Sequence, residues 1–296
     1  MTVDDDPILH KPIIIIGAPR SGTTMLQQIF NQHPRLGLMW EPRLTWRYRN
    51  DNKSDMLRPE DARPDVIQHI RTTFANAVRE MGRDRLCEKT PSNSLRMGFV
   101  DRVFPDCKFI HTIRHGEDSI LSMIEKWETK SHGIRPDKLL DRLKEVKLRQ
   151  LAYYAKETLF KLLPKKLTGP NPWGPRIPGI RTMRPDMDVL DVCCLQWRMC
   201  VELACQYGRT LPPDRYMEYR LEDMSPELLE RIFEFCEIDD CDSMRSYFRE
   251  KFDPKRTSGR SRRADPDVLK QMMQWIEPTL HWLGYEDEQV ATARRI

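Results

Sequence analysis

The stretch Ile13-Ile14-Ile15-Ile16-Gly17-Ala18-Pro19-Arg20-Ser21-Gly22-Thr23-Thr24 decides how this chain is read. Four consecutive isoleucines between Pro12 and Gly17 are the pattern of a strand buried on both faces, too short for a helix. The strand ends at a glycine, a tight loop follows, and the paired threonines open a helix expected over 23–32. In that geometry backbone N–H groups and the positive end of a helix converge on one point, which suits a phosphate. The glycine spacing is that of a phosphate-binding loop, yet Thr23 stands where the loop lysine belongs and the cation has moved inside the loop as Arg20. A kinase or nucleoside triphosphatase needs that lysine at the β- and γ-phosphates and an aspartate on a neighbouring strand to hold Mg²⁺. The candidate neighbouring strand, 107–113, ends in Thr112, Ile113 and Arg114, with no carboxylate in that place.

Working outward, strand-like and helix-like segments alternate. Short apolar runs at 36–38, 85–88 and 215–219 read as strands. Helices are expected over 64–81, where Gly82 stops it, from a Ser92 cap through Leu95, Phe99 and Val103, and over 117–128. Ser225-Pro226-Glu227 opens a further helix to Cys236, and the last runs over 265–282 and closes at Gly284. This is the α/β class: one domain over 1–296, a P-loop-like arrangement with a mostly parallel central sheet flanked by helices. The segment 130–185 breaks the rhythm. A basic amphipathic helix expected over 137–163 runs into a stretch with prolines at 164, 170, 172, 175, 178 and 185, which resists helix and sheet alike. It reads either as a surface excursion or as a lid over an acceptor site.

Composition narrows the function. With 49 Lys+Arg against 45 Asp+Glu, a formal charge of +4, the chain has neither an acidic tail nor the basic excess of a nucleic-acid binder. The apolar run 13–16 is far below the ~18–20 residues of a transmembrane helix, and the aspartate-rich residues 1–10 have no apolar core of a secretory leader. Eight cysteines in 296 residues, without CxxC or Cys/His ligand spacing, read as reduced buried thiols rather than a disulfide scaffold or metal site. A cytoplasmic protein without a metal is expected.

Pro19-Arg20-Ser21-Gly22-Thr23-Thr24 resembles the 5′-phosphosulfate loop of sulfotransferases that use 3′-phosphoadenosine 5′-phosphosulfate, nearest to the tyrosylprotein and carbohydrate branches and their bacterial relatives. Phe104-Pro105-Asp106-Cys107-Lys108-Phe109-Ile110, leading into Arg114-His115-Gly116-Glu117-Asp118-Ser119-Ile120-Leu121-Ser122, is similar to the family's 3′-phosphate motif. The resemblance makes Arg114 and Ser122 phosphate ligands, and an arginine fork beside a hydroxyl eight residues on is chemically apt for gripping one phosphate. Glu88-Lys89-Thr90-Pro91 resembles the segment that supplies an active-site lysine. Arg220-Leu221-Glu222-Asp223-Met224 resembles a late strand motif in which Leu221 replaces the aromatic that often touches adenine, leaving Tyr219 as the candidate for that contact. The basic run 255–263, with Gly259 and Arg260, is similar to the loop that closes over the 3′-phosphate, and is otherwise a solvated charge run.

The reaction so implied moves a sulfuryl group to a hydroxyl or amine acceptor, and its leaving group is a phosphate. Arg20 and Lys89, with the loop amides and Thr23 or Thr24, are the expected stabilisers of the charge on the bridging oxygen, and no metal is needed. Glu41, in Trp40-Glu41-Pro42-Arg43, is the expected base; Trp40 would raise its pKa by desolvation and Arg43 would oppose that. Glu88, His111 and His115 are the other possible bases, each more readily a packed or capping residue. Trp173 offers a stacking surface for an acceptor and Arg176 a cation for an anionic group. Carbohydrate, lipid, small alcohol and protein tyrosine stay open as acceptors. The competing readings are a P-loop kinase or nucleoside triphosphatase and a non-catalytic protein that binds an anionic partner through 137–163.

Overall fold

The computed structural model describes residues 6–130, 173–180 and 187–285. Its centre is a five-stranded parallel sheet of β1 (Ile13–Ile16), β2 (Leu36–Trp40), β3 (Arg85–Lys89), β4 (Lys108–Ile113) and β5 (Tyr216–Arg220), in the order β2-β3-β1-β4-β5. From β1 the chain goes to β2 and β3 on one side, then crosses to β4 and β5 on the other. The carboxyl end of β1 is therefore the point at which the connections diverge, where open parallel sheets bind ligands.

Helices cover both faces because every β1 side chain is fully buried and alternates between two cores. Ile14 and Ile16 pack with Phe74 of α3 (Pro64–Glu80) and Phe99 of α4 (Met97–Val103). Ile13 and Ile15 pack with Phe30 of α1 (Thr23–Phe30) and Ile232 of α7 (Pro226–Cys236), beside α8 (Asp242–Lys251). Each such isoleucine contributes about 1.5–3 kcal/mol of transfer free energy. The short helix α2 (Arg43–Trp46) follows β2. A third core joins α5 (Gly116–Lys130), α6 (Val189–Gly208) and α9 (Pro266–Trp282) around Trp197. Among the described residues no helix is long and apolar enough to cross a membrane.

The α/β class and parallel sheet match the reading of the sequence, and two local expectations change. Ser92 does not cap a helix: it lies inside a 3₁₀ turn, Pro91–Arg96, which precedes α4. Asn93 there turns inward to Glu88, so the turn follows a buried polar network rather than a cap. The 20-residue α6 had no counterpart, although Cys193, Cys194, Trp197, Cys200, Val201 and Cys205, all 0% exposed, recur at helical spacing: the partly buried Leu195, Met199 and Leu203 outside that stripe are apolar too and blur its edge. All eight cysteines are buried free thiols. The expected helix 137–163, and most of the segment 130–185 with its lid reading, lie outside the described residues.

Candidate active site

The loop after β1 is built to bring backbone close to a ligand. A Cβ on Gly17 would lie 2.5 Å from both the Thr112 carbonyl and the Ser21 hydroxyl, so only glycine lets the loop pass the end of β4. Gly22 has φ +93° and packs against Leu221, where a Cβ would come within 2.6 Å. As N-cap of α1 it supplies no side-chain acceptor, which leaves the first N–H groups of the helix pointing out of the loop. Ser21 is fully buried and its hydroxyl has no hydrogen-bond partner among the described residues, an unusual state for a buried oxygen and one that fits a ligand-binding loop.

On one side of this loop stands a cluster of cations. Arg20, at φ +70°, donates from Nε to Ser122 Oγ at 2.9 Å. Arg114 is 6% exposed and its fork grips three carbonyls, Thr257 at 2.9 Å, Arg20 at 3.1 Å and Arg256 at 3.1 Å. Arg114 thus pins the 255–263 run to the loop, and its guanidinium stands beside Asp118 at 4.0 Å. Burial, then Arg260, depresses the pKa of Arg20, with Glu125 opposing. Burial likewise depresses that of Arg114, with Asp118 and Glu222 opposing and Arg260 and Arg20 adding to the depression. Three arginines that mutually raise the cost of their charge form a site that an anion relieves.

The other side is occupied by a carboxylate and two cations. Trp40 and Lys89 are register partners at the ends of β2 and β3, and the Glu41 amide donates to the Lys89 carbonyl at 3.0 Å. Glu41, at φ +49°, thereby turns its carboxylate back: Oε1 accepts from Lys89 Nζ at 2.8 Å and Oε2 from Arg43 at 2.5 Å. Burial pushes the Glu41 carboxyl up, but Arg43 and Lys89 outweigh it and hold the group at about 2. The raised value considered from Trp40 does not arise, since Trp40 is 64% exposed and stands over Lys89 Nζ at 5.6 Å instead. A cleft of about 70 Å³ opens here, lined by Arg20, Thr23, Thr24, Glu41, Arg43 and Ser92, with Trp173, Gly174 and Pro175 as its far wall.

A family model for the sulfotransferase family matches residues 12–166, just over half of the chain. The chain belongs to the sulfotransferase family. Among its relatives, a putative protein-tyrosine sulfotransferase of Caenorhabditis briggsae is 32% identical over 121 residues, covering 38% of this chain and 43% of that one. Protein-tyrosine sulfotransferase 1 of Homo sapiens is 28% identical over 131 residues, 40% of this chain and 35% of that one. The matched region is thus less than half the length of these curated relatives. The solved structure of sulfotransferase STF9 from Mycobacterium avium superposes with a TM-score of 0.52 at 13% identity, over 94% of this chain and 78% of that one, a likeness of fold.

In this sulfotransferase-family chain, Pro19, Arg20, Ser21, Gly22, Thr23, Thr24, Arg114, Ser122 and the Gly259-Arg260 loop come together on one side of the loop, and Glu41 and Lys89 on the other. Three expected residues do not join them in the expected way. Tyr219 is 7% exposed, packs among the α1 and α7 side chains, and its hydroxyl accepts from Thr112 Oγ1 at 2.9 Å. Leu221, not Tyr219, is the residue laid against the loop. Arg176 does not face the cleft: it donates to Asp55 from its backbone N at 2.9 Å and from Nε at 3.3 Å, because Asp55 is the buried anion on which Arg47, Arg96 and Arg176 converge. Trp173 does line the cleft, but it also packs on the α5–α6–α9 core, and its carbonyl accepts from Gln196 at 2.9 Å.

The other candidate bases are structural. Glu88 is fully buried, accepts from Trp46 Nε1 at 3.1 Å, Asn93 at 2.9 Å and the Thr90 hydroxyl, and is raised by burial to about 7. His111 is buried against the Tyr216 hydroxyl at 2.8 Å, and His115 stacks edge-on against Tyr285 while its amide donates to Glu222 at 2.9 Å. His111, Cys205 and Glu218 present potential ligand atoms within 4.8 Å of one another. The Tyr216 hydroxyl bridges His111 Nδ1 and Glu218, and Arg209 pairs with Glu218 at 2.7 Å, so these groups bond to one another, while His111 Nε2 is buried without a partner among the described residues. A larger cavity of about 270 Å³ at the β5 edge is lined by Arg209, Arg220 and Tyr285, away from the loop, with both guanidinia already engaged.

Reading the sequence missed Asp118 as part of the site; Arg43 was foreseen as the cation acting on Glu41, and the structure adds Lys89 as the second cation on the same carboxylate. Asp118 had a weak signal, the (i, i+4) spacing from Arg114 at the start of a helix.

Proposed function

We propose that this protein transfers the sulfuryl group of 3′-phosphoadenosine 5′-phosphosulfate to a hydroxyl acceptor by in-line displacement. The observation that carries this reading is an ionised glutamate and a buried lysine, 2.8 Å apart, beside a loop whose amides and neighbouring arginines call for an anion. The loop amides with Thr23 and Thr24 take the 5′-phosphosulfate. Arg20, Ser122, Arg114 and the 255–263 run surround the 3′-phosphate. The acceptor enters from the cleft between Glu41 and Trp173.

In the reaction the acceptor oxygen forms its bond to sulfur while the bond from sulfur to the bridging oxygen breaks, leaving the electron pair on the 5′-phosphate. The acceptor proton goes to Glu41. A carboxyl held at about 2 is ionised at neutral pH yet weakly basic. Lys89 links the two ends of the process. As negative charge grows on the bridging oxygen, Lys89 turns toward it, and Glu41 loses one of the two cations that suppress its basicity. So weak a base serves an acidic hydroxyl best, and a phenol, with a pKa of ~10, gives up its proton far more readily than an alkyl alcohol. The protein-tyrosine sulfotransferases among the relatives are named for such a group, and a phenolic acceptor is the finer reading.

The test uses labelled donor and a panel of phenols, sugars and alkyl alcohols, with Glu41→Gln and Lys89→Ala as controls. Transfer to phenols, lowered by about a hundredfold or more in both variants while adenosine 3′,5′-bisphosphate still binds, is the expected result. Binding of ATP with Mg²⁺ in preference to the bisphosphate overturns the reading in favour of a kinase-like protein.

A further inference from the structure

Asp118, the third residue of α5, is 2% exposed and reaches across to the basic run 255–263. Its carboxylate accepts three consecutive backbone amides: Oδ2 from Gly259 at 2.9 Å, and Oδ1 from Arg260 at 2.6 Å and Ser261 at 3.0 Å. Three successive N–H groups face one carboxylate here because Gly259 sits at φ +96°, a left-handed conformation that glycine adopts without strain. One helical turn earlier, Arg114 holds the carbonyls of Arg256 and Thr257 in the same segment. The segment is thus gripped by its carbonyls from residue 114 and by its amides from residue 118, while the side chains of Lys255, Arg256 and Arg260 are exposed.

The grip has an electrostatic purpose. Arg260 stands near enough to Arg20 and Arg114 to depress both. Left to itself, a basic loop is repelled from such a cluster; a buried carboxylate beneath its backbone offsets that repulsion and fixes the direction of the side chain. With Asp118 in place, Arg260 leaves the loop toward the cluster, where its guanidinium meets Glu125 at 2.8 Å. The Asp118 oxygens are occupied by amides and have no role in contacting a ligand.

We propose that Asp118 is a positioning residue that presents Arg260 to the 3′-phosphate of the donor and so creates the preference for a 3′-phosphorylated nucleotide. This rests on the donor reading above. The experiment compares binding of adenosine 3′,5′-bisphosphate and adenosine 5′-monophosphate by calorimetry to the wild-type chain, Asp118→Asn, Asp118→Ala, Arg260→Ala and the Asp118→Ala/Arg260→Ala double variant. Wild type is expected to prefer the bisphosphate. The preference should fall tenfold or more in Asp118→Ala and by less in Asp118→Asn, which keeps an oxygen for two of the three amides. Affinity for the monophosphate should stay within about twofold. Since Asp118 acts through Arg260, the double variant should lose no more than the larger single loss.

A preference that survives in both Asp118 variants overturns the inference while leaving the donor reading intact. So does an equal loss for both nucleotides, which marks a purely structural residue, or an additive double variant. A bisphosphate that binds more tightly to Asp118→Asn also overturns it and makes Asp118 a competitor for the phosphate. A wild-type chain with no preference overturns the donor reading itself, and this inference with it. If Asp118→Ala does not fold, Asp118→Asn decides by the same criteria.

Discussion

The two sides of the loop after β1 handle charge in opposite ways. On the α5 side, Arg20, Arg114 and Arg260 crowd together; Asp118 and Glu222 are engaged with backbone amides, and Glu125 pairs with Arg260. On the β2–β3 side, one carboxylate is held between two cations at hydrogen-bond distance. In the first arrangement no carboxylate lies at hydrogen-bond distance from the Arg20 or Arg114 guanidinium among the described residues. The second is already neutralised and must be opened before anything reacts. In the proposed function binding and chemistry are separated on two sides of one loop, and substitutions on each side should separate affinity from turnover.

The largest effect is expected from Lys89→Ala, which removes the cation paired with Glu41 and proposed to serve the leaving group. Turnover should fall by about a hundredfold to a thousandfold, with bisphosphate affinity little changed; single-turnover kinetics and calorimetry on one preparation measure both. Equal losses in the two would erase the division of labour. Arg114→Ala should do the reverse, weakening the bisphosphate by roughly tenfold to a hundredfold through lost charge-assisted contacts, with turnover at saturating donor nearly retained. Trp173→Ala probes the acceptor wall. It should raise the acceptor KM and lower Tm together, because Trp173 lines the cleft and packs on the core. Since the residue is only half-buried, the stability loss should stay below the ~3–5 kcal/mol of a fully buried tryptophan. A Tm loss with unchanged kinetics would assign it to packing alone.

The smallest effect concerns two carboxylates, Glu41, which pairs with Lys89, and Glu88, which precedes Lys89 on β3. Glu41 is held at about 2, below the ordinary 4.5, so its ion pairs stabilise the fold above pH ~4.5 and that contribution is lost as pH falls toward 2. Glu88 is raised to about 7, so between pH 4.5 and 7 the folded chain holds a proton that the unfolded chain has released, and stability declines as pH rises through that window. Glu88→Gln should flatten the decline in Tm between pH 5 and 7 and leave the acid limb in place. An unchanged profile would mean that Thr90, Trp46 and Asn93 keep Glu88 ionised.

Much of the frame was readable residue by residue. Ser225 caps α7 through its own hydroxyl and Pro226 occupies the first turn, and Asp265 and Pro266 open α9 in the same way. The loop after β1 announces itself because glycine, cation and threonines follow a strand within eight residues. What escaped reading has a common cause. Helix α6 carries apolar residues, Leu195, Met199 and Leu203, outside its buried stripe, so its period is blurred. Tyr219 sits on a strand face directed at the core. Arg176, a lone cation among prolines, has its partner Asp55 121 residues away in sequence.

The sequence by itself determined the parallel α/β frame and which residues stand at the carboxyl ends of its strands, because hydrophobic periodicity, turn chemistry and helix caps act over a few residues. The tertiary structure alone decided which charge meets which. Glu41 and Lys89 are 48 residues apart, Asp118 and the amide of Arg260 142. They meet because β3 lies between β2 and β1 and β4 beside β1, an order no local pattern records. Coulomb interactions depend on distance through space and on the water that burial removes. The pKa of Glu41 and the placement of Arg260 therefore emerge only when the strands take their places.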